Sequence, residues 1–274
     1  MKSLVPPGSG TTRLACLFTL AALATACSVS MQQEVQMGQE YSAEINGQLP
    51  IVQDAEVNRY VNVLGDSIAN LADPRGLDYQ FYIVNAAEVN AFAVPGGFVY
   101  VNRGLIDRTT NLSQLAGVLG HEIGHVVRRH SVKQMQKAQR ANIGIVLGCT
   151  LLNVCNNEAT NAAIQVGGAA LFAKFGRDDE READEEAVRN VVRAGIDPRG
   201  IPQMFQILLT ERQTRPAAVE GWFNTHPGEE ERIRDSEAMI AQHDPAILRT
   251  LTVNTPNFEA FQARVRALPA QRAR

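Results

Sequence analysis

Between Asn111 and about Lys137, apolar residues recur at Leu112, Leu115, Ala116, Val118, Leu119, Ile123, Val126 and Val127. Spacings of three and four predict one amphipathic helix with a buried face. Asn111 is placed to cap it, and Gln114 three residues on completes a capping-box pattern. An earlier helix is predicted after Asp54, where Val57, Tyr60, Val61, Leu64, Ile68 and Leu71 share a face, and it stops before Asp73-Pro74-Arg75-Gly76. The period then changes to two. Tyr79, Phe81 and Ile83 alternate as a strand, and residues 92–94 and 98–101 flank Pro95-Gly96-Gly97 as a hairpin-like pair. Another helix opens on the acidic run Arg177-Asp178-Asp179-Glu180-Arg181-Glu182-Ala183-Asp184, with Ala183, Ala187, Val188 and Val191 turned to a core. Residues 141–175 are rich in Ala, Gly, Leu and Val. Their apolar runs, 143–154 and 162–175, are broken by polar residues or glycine and fall short of a bilayer span, so they read as two buried or interfacial helices. The pattern is that of an α+β domain, rich in helix, with a small sheet.

The long helix carries His121-Glu122-Ile123-Gly124-His125. Two imidazoles at i and i+4 share one helix face, and the carboxylate between them lies about 100° round the axis. Both rings can therefore bind one Zn²⁺ while Glu122 reaches an activated water and takes its proton. A lone histidine on an apolar helix is ordinarily a hydrogen-bonded core residue; the pair with glutamate between them argues for a metal instead. A catalytic zinc usually has three protein ligands and an open position, so a third must come from elsewhere. The acidic run is the best supplier. Glu180 and Asp184 are one turn apart, so one carboxylate can bind the metal while the other orients a ligand imidazole through its second nitrogen.

At this point HEIGHVVRRHS and GRDDEREADEEAV together resemble the signature of the gluzincin family that contains the heat-shock protease HtpX, the CaaX prenyl protease and the mitochondrial protease Oma. The resemblance implies a zincin-like metallopeptidase domain with one zinc per chain, held by His121, His125 and Glu180, with Glu122 as general base and Asp184 behind the ligands. Gly176 stands where the family usually has serine, a departure that touches the helix start and not the metal. Residues 90–105 are similar to the family's NAFAxPGG segment. They imply that Ala91, Phe92, Ala93, Val94, Pro95, Gly96 and Gly97 form a strand and turn beside the zinc helix, where an extended substrate adds by main-chain pairing. Thr225-His226-Pro227 with Arg232 resembles a further family element, and the four motifs together span residues 55–235. Residues 221–227 read as a loop able to swing. From it His226 could donate to a developing oxyanion, as could Arg232; it could instead occupy the open zinc position and hold the enzyme off, or simply cap the next helix. His130 and His243 are assigned no chemistry.

Residues 1–26 have Lys2 and Arg13 but no acid, and the apolar run 14–26 is too short to span a bilayer, which predicts a signal peptide. Leu23-Ala24-Thr25-Ala26-Cys27 resembles a bacterial lipobox, with Cys27 as the lipidated residue and Ser28 after it in the manner of outer-membrane sorting. The expected organisation is a signal peptide at 1–26, a lipid-anchor linker and first helix at 27–50, and the zinc metallopeptidase domain at 51–274. With Cys16 in the leader and Cys27 at the anchor, Cys149 and Cys155 are left either as a small disulfide loop in an oxidising compartment or as buried thiols. Removing the leader leaves 24 Lys and Arg against 29 Asp and Glu. A mildly acidic chain without clustered bases argues against nucleic acid as a partner. No 34-residue helical repeat is legible, so the chain looks like the short outer-membrane lipoproteins of the family. The expected function is a zinc endopeptidase at the periplasmic face of the outer membrane that degrades unfolded or misassembled envelope polypeptides, with other envelope proteases or assembly machinery as further partners. The alternative is a lipoprotein chaperone or assembly factor whose zinc site is largely latent.

Overall fold

A computed structural model of the chain describes residues 29–139 and 174–269. The leader, Cys27, Cys149, Cys155 and nearly all of the apolar stretch from 141 to 175 lie outside the described residues. Helix α1 (Met31–Gln48) starts on a reciprocal cap, with Ser30 Oγ accepting from Gln33 N and Gln33 Oε1 accepting from Ser30 N. Asp54 caps α2 (Ala55–Ala72) through Oδ1, which accepts from the amides of Glu56 and Val57. Strands β1 (Gln80–Val84), β2 (Ala91–Val94) and β3 (Phe98–Asn102) follow, and then the short helix α3 (Arg103–Arg108). The sheet order is β1-β3-β2, with β3 parallel to β1 and antiparallel to β2. Pro95-Gly96-Gly97 turns β2 into β3 with Gly96 and Gly97 at φ 82° and 97°, a left-handed pair that glycine adopts without a Cβ clash.

The central helix is α4 (Leu112–Val127), and the acidic run opens α5 (Arg177–Arg193) packed against it. Their backbones come close because α4 presents Gly120 and Gly124 to Ala187 and Ala183. A Cβ added at Gly124 would lie 2.7 Å from the Ala183 carbonyl oxygen. Beyond these lie α6 (Gly200–Thr214), α7 (Pro216–Thr225), α8 (Glu229–Ile240), the short α9 (Pro245–Leu248) and α10 (Pro256–Arg266). The main apolar cluster runs from Val61 and Ile68 on α2 through Ile83, Val99 and Leu115 to Val191 and Phe258, and a smaller one of Val84, Val94 and Tyr100 packs on Ile45 of α1. No helix among the described residues is long and apolar enough to cross a membrane.

Three expectations change. The long helix does not run on to Lys137: it ends at Val127, turns through Arg128 and Arg129, and residues 130–139 form a separate helical stretch. Arg129 sits at φ 58°, held there by its Nε donating to Glu34 Oε2 at 2.7 Å and its Nη2 donating to the Val29 carbonyl at 2.7 Å. The cap is also displaced by a residue. Asn111 Oδ1 accepts from Gln114 N as expected, but the Gln114 side chain returns to the Thr110 amide and not to that of Asn111. Finally, residues 221–225 are not a loop but the last turns of α7, fixed by Trp222, which is fully buried.

Candidate metal centre

Helix α4 brings His121, Glu122 and His125 to one place, α5 adds Glu180 and Asp184, and the C-cap of α7 adds His226. All six are no more than 2% exposed. The His121 and His125 Nε2 atoms lie 3.0 Å apart, and the Glu180 oxygens lie 3.5 Å from each. His226 Nδ1 is 3.3 Å from His121 Nε2 and 3.1 Å from Glu180 Oε1. Ligand atoms bound tetrahedrally at about 2.0–2.1 Å are about 3.4 Å from one another, so these spacings are those of a metal's coordination sphere. One ligand atom from each of His121, His125, Glu180 and His226 falls within 4.8 Å of all the others. Protons alone do not account for such crowding: His121 Nε2 carries at most one hydrogen yet faces two other ring nitrogens and a carboxylate. The residues fit a divalent ion.

Charge leads to the same conclusion. Glu122, Glu180 and Asp184 are buried carboxylates, and Arg232, on α8, is the buried guanidinium among them. Arg232 Nε and Nη2 donate to the two Asp184 oxygens at 2.8 Å each, its Nη1 pairs with Glu180 Oε2 at 2.6 Å, and its guanidinium carbon lies 4.1 Å from the Phe205 ring centre. Burial would raise both carboxyls, but Arg232 and the facing histidines together outweigh it, His226 and His121 at Glu180 and His121 at Asp184, holding Glu180 well below the usual carboxylate range and Asp184 below it as well. Glu122 behaves differently. Burial raises its pKa against the pull of His226 and His121, and its Oε1 has no hydrogen-bond partner. Burial and Arg232 push the His121 imidazole down, yet Asp184 and Glu180 prevail and hold it up at about 9. His125 is driven well below the ordinary histidine value by burial and then by His121. The carboxylate frame thus favours positive charge between the rings, and a cation supplies it without requiring both imidazoles to ionise.

Around the ligands, His121 Nδ1 meets Asp184 Oδ1 at 2.8 Å, the carboxylate–imidazole contact that the i, i+4 spacing of the acidic run suggested. Strand β2 lies against α4 at the edge of the sheet, and Asn102 N donates to the Asn90 carbonyl to pin its start. Two neighbours escaped sequence reasoning. Phe175 stacks on the His125 ring with centroids 4.0 Å apart and planes at 24°, and its amide donates to the Thr225 carbonyl. His130, assigned no chemistry, lies with its Nδ1 2.9 Å from His125 Nδ1. A histidine five residues on would sit about 140° away on a continuous helix, so periodicity gave no signal for this contact.

Two helices that cross at close-packed glycines, four side chains within reach of one metal ion and a buried carboxylate beside them define a metallopeptidase of the HExxH class. The description of peptidase family M48 matches residues 52–240, and the chain belongs to that family. It is 32% identical over 232 residues to the beta-barrel assembly-enhancing protease of Escherichia coli (strain K12), a match covering 81% of this chain and 47% of that protein. It is 28% identical over 185 residues to metalloprotease LoiP and 30% identical over 182 residues to metalloprotease YcaL of the same strain. These matches cover 66% and 65% of this chain, and 71% and 68% of those proteins. The chain spans about half the length of the beta-barrel assembly-enhancing proteases it matches.

Proposed function

We propose that this chain is a zinc-dependent endopeptidase of the bacterial cell envelope that degrades unfolded or misassembled envelope proteins, held at the periplasmic face of the outer membrane by a lipid on Cys27. The observation that carries the reading is the convergence of His121, His125 and Glu180 beside the buried Glu122, whose Oε1 makes no hydrogen bond and lies 3.7 Å from His226 Nε2. The three ligands would hold one zinc, which when bound supplies Lewis-acid polarisation of a carbonyl and of water. Glu122 takes the proton from the attacking water and returns it to the leaving amine, a role helped by burial, which raises its pKa. Asp184 orients His121, and Arg232 holds Asp184 and Glu180 in register. Ala91 to Val94 offer the outer edge of β2 to an extended substrate, with Pro95-Gly96-Gly97 closing its far end. Main-chain pairing of this kind gives affinity with little side-chain choice, which suits unfolded polypeptides.

His226 is read as a fourth ligand that closes the site. Its Nδ1 distances to His121 and Glu180, and the anchoring of its helix by Trp222, support this over an oxyanion donor on a free loop. Arg232 is likewise engaged by carboxylates and serves the ligands better than an oxyanion. Every reactive group is buried, and displacing the His226 side chain opens the site to a substrate. A second reading, an assembly factor with a latent site, draws support from the printed name of the beta-barrel assembly-enhancing relative. Digestion of casein or an unfolded outer-membrane protein by the purified chain, with and without a chelator, separates the two. Proteolysis that disappears with the chelator, and with Glu180→Gln alongside lost zinc, is expected; envelope function that survives Glu122→Gln supports the assembly role instead. Labelled palmitate entering wild type but not Cys27→Ser tests the anchor, and equal labelling of both rules that site out.

A further inference from the structure

We infer that His130 is a positioning residue for the metal ligand His125: its Nδ1 accepts the His125 Nδ1 proton and so fixes the tautomer and tilt of that ring. The inference rests on the reading of His121, His125 and Glu180 as zinc ligands. Both histidines are buried, with His130 fully so, and the two Nδ1 atoms are 2.9 Å apart. On the other side of the ring, His130 Nε2 lies 3.3 Å from Glu182 Oε2 on α5.

Counting hydrogens leaves one arrangement. The His125 Nε2 faces His121 Nε2 at 3.0 Å, on the metal side, so its lone pair points inward and its proton is on Nδ1. His130 Nδ1 must then be the acceptor, which puts the His130 proton on Nε2, where it donates to Glu182. The line Glu182, His130, His125 repeats, with a second imidazole inserted, what Asp184 does for His121. Phe175 stacked on the His125 face sets the plane of the ring that His130 holds at its edge.

The backbone has been bent to make this contact. On an unbroken helix His130 would project about 140° away from His125. Arg129, the one non-glycine residue at positive φ among the described residues, breaks the helix and returns His130 to the ligand. Its left-handed conformation is held by Glu34, which is fully buried on α1 and also pairs with Arg75.

The test compares zinc affinity, by chelator competition on the full chain, in wild type, His130→Phe and His130→Gln. Phenylalanine keeps the ring and removes the acceptor; glutamine restores an acceptor oxygen. Affinity should fall about ten- to hundredfold in His130→Phe and recover most of that in His130→Gln. Unchanged affinity in a folded His130→Phe, or an equal loss in both variants, overturns the inference. Should His130→Phe not fold, nitrogen-15 NMR of the zinc-loaded wild type decides the matter: protons on His125 Nδ1 and His130 Nε2 are expected, and a proton on His130 Nδ1 overturns it. A wild type that takes up no zinc would refute the metal reading itself, an outcome distinct from all of these.

Discussion

Along α4 the residues from Leu112 to Leu119 and those from Gly120 to Val126 are buried alike, but they are held in different ways. The first half is packed among apolar neighbours, and its free amides are met by Asn111 Oδ1, Asn254 Oδ1 and the Val253 carbonyl. The second half is held by polar partners from α5, the end of α7, α8 and the helical stretch that follows the turn after α4. Trimming an apolar side chain costs stability through lost contacts and the cavity left behind, but leaves no polar group unpaired. In a buried polar cluster each group removed leaves another unpaired in a low dielectric, so the loss falls on the site. The helix therefore has one half specialised for stability and one for chemistry, and substitutions in the two should separate in their readouts.

The largest effect is expected in the apolar half. Leu115→Ala, at a fully buried site, should cost about 2–5 kcal/mol of folding stability in urea melts while the folded fraction keeps its zinc affinity. If affinity fell in step with stability, the halves would not be independent. Next, Glu122→Gln should lower proteolysis by ~10²-fold, about 2.7 kcal/mol of barrier, with zinc content retained. Stability should hold or rise, since burial already disfavours the carboxylate that is replaced. Near-native turnover by the zinc-loaded variant would remove Glu122 from the mechanism. Smaller again is His226→Ala, for which casein cleavage should rise about tenfold, roughly 1.4 kcal/mol, if the imidazole closes the site. A fall of that size would assign it to the oxyanion, and no change would sink both roles. Least of all, Asn111→Ala removes a cap at the far end of the helix and should cost about 1 kcal/mol with no change in zinc affinity.

Legibility in the sequence follows the same division. The Asp54-capped helix, the alternating strand, the Pro95-Gly96-Gly97 turn and the apolar face of α5 were readable because each is set by neighbours within a few residues. The break after Val127 was not, because Val132 and Met135 are buried too and keep an apolar rhythm running past it. Its cause is Glu34, far away in the chain, which holds Arg129 in the left-handed region. Residues 221–225 looked like a loop because Gly221, Asn224 and the following Pro227 are turn residues. Burying Trp222 against the core outweighs those local preferences and keeps the segment helical.

By itself the sequence determined the identity and spacing of the reactive groups, since one helical turn between His121 and His125, and another between Glu180 and Asp184, follow from backbone geometry alone. Only the tertiary structure decided what stands around them. That His226 reaches within 3.3 Å of His121, that Phe175 covers His125, and that His130 turns back onto the same ring depend on how helices far apart in the chain pack. Periodicity records which face of a helix is buried; the partner buried against it is selected by long-range packing and charge, which leave no mark at any fixed spacing.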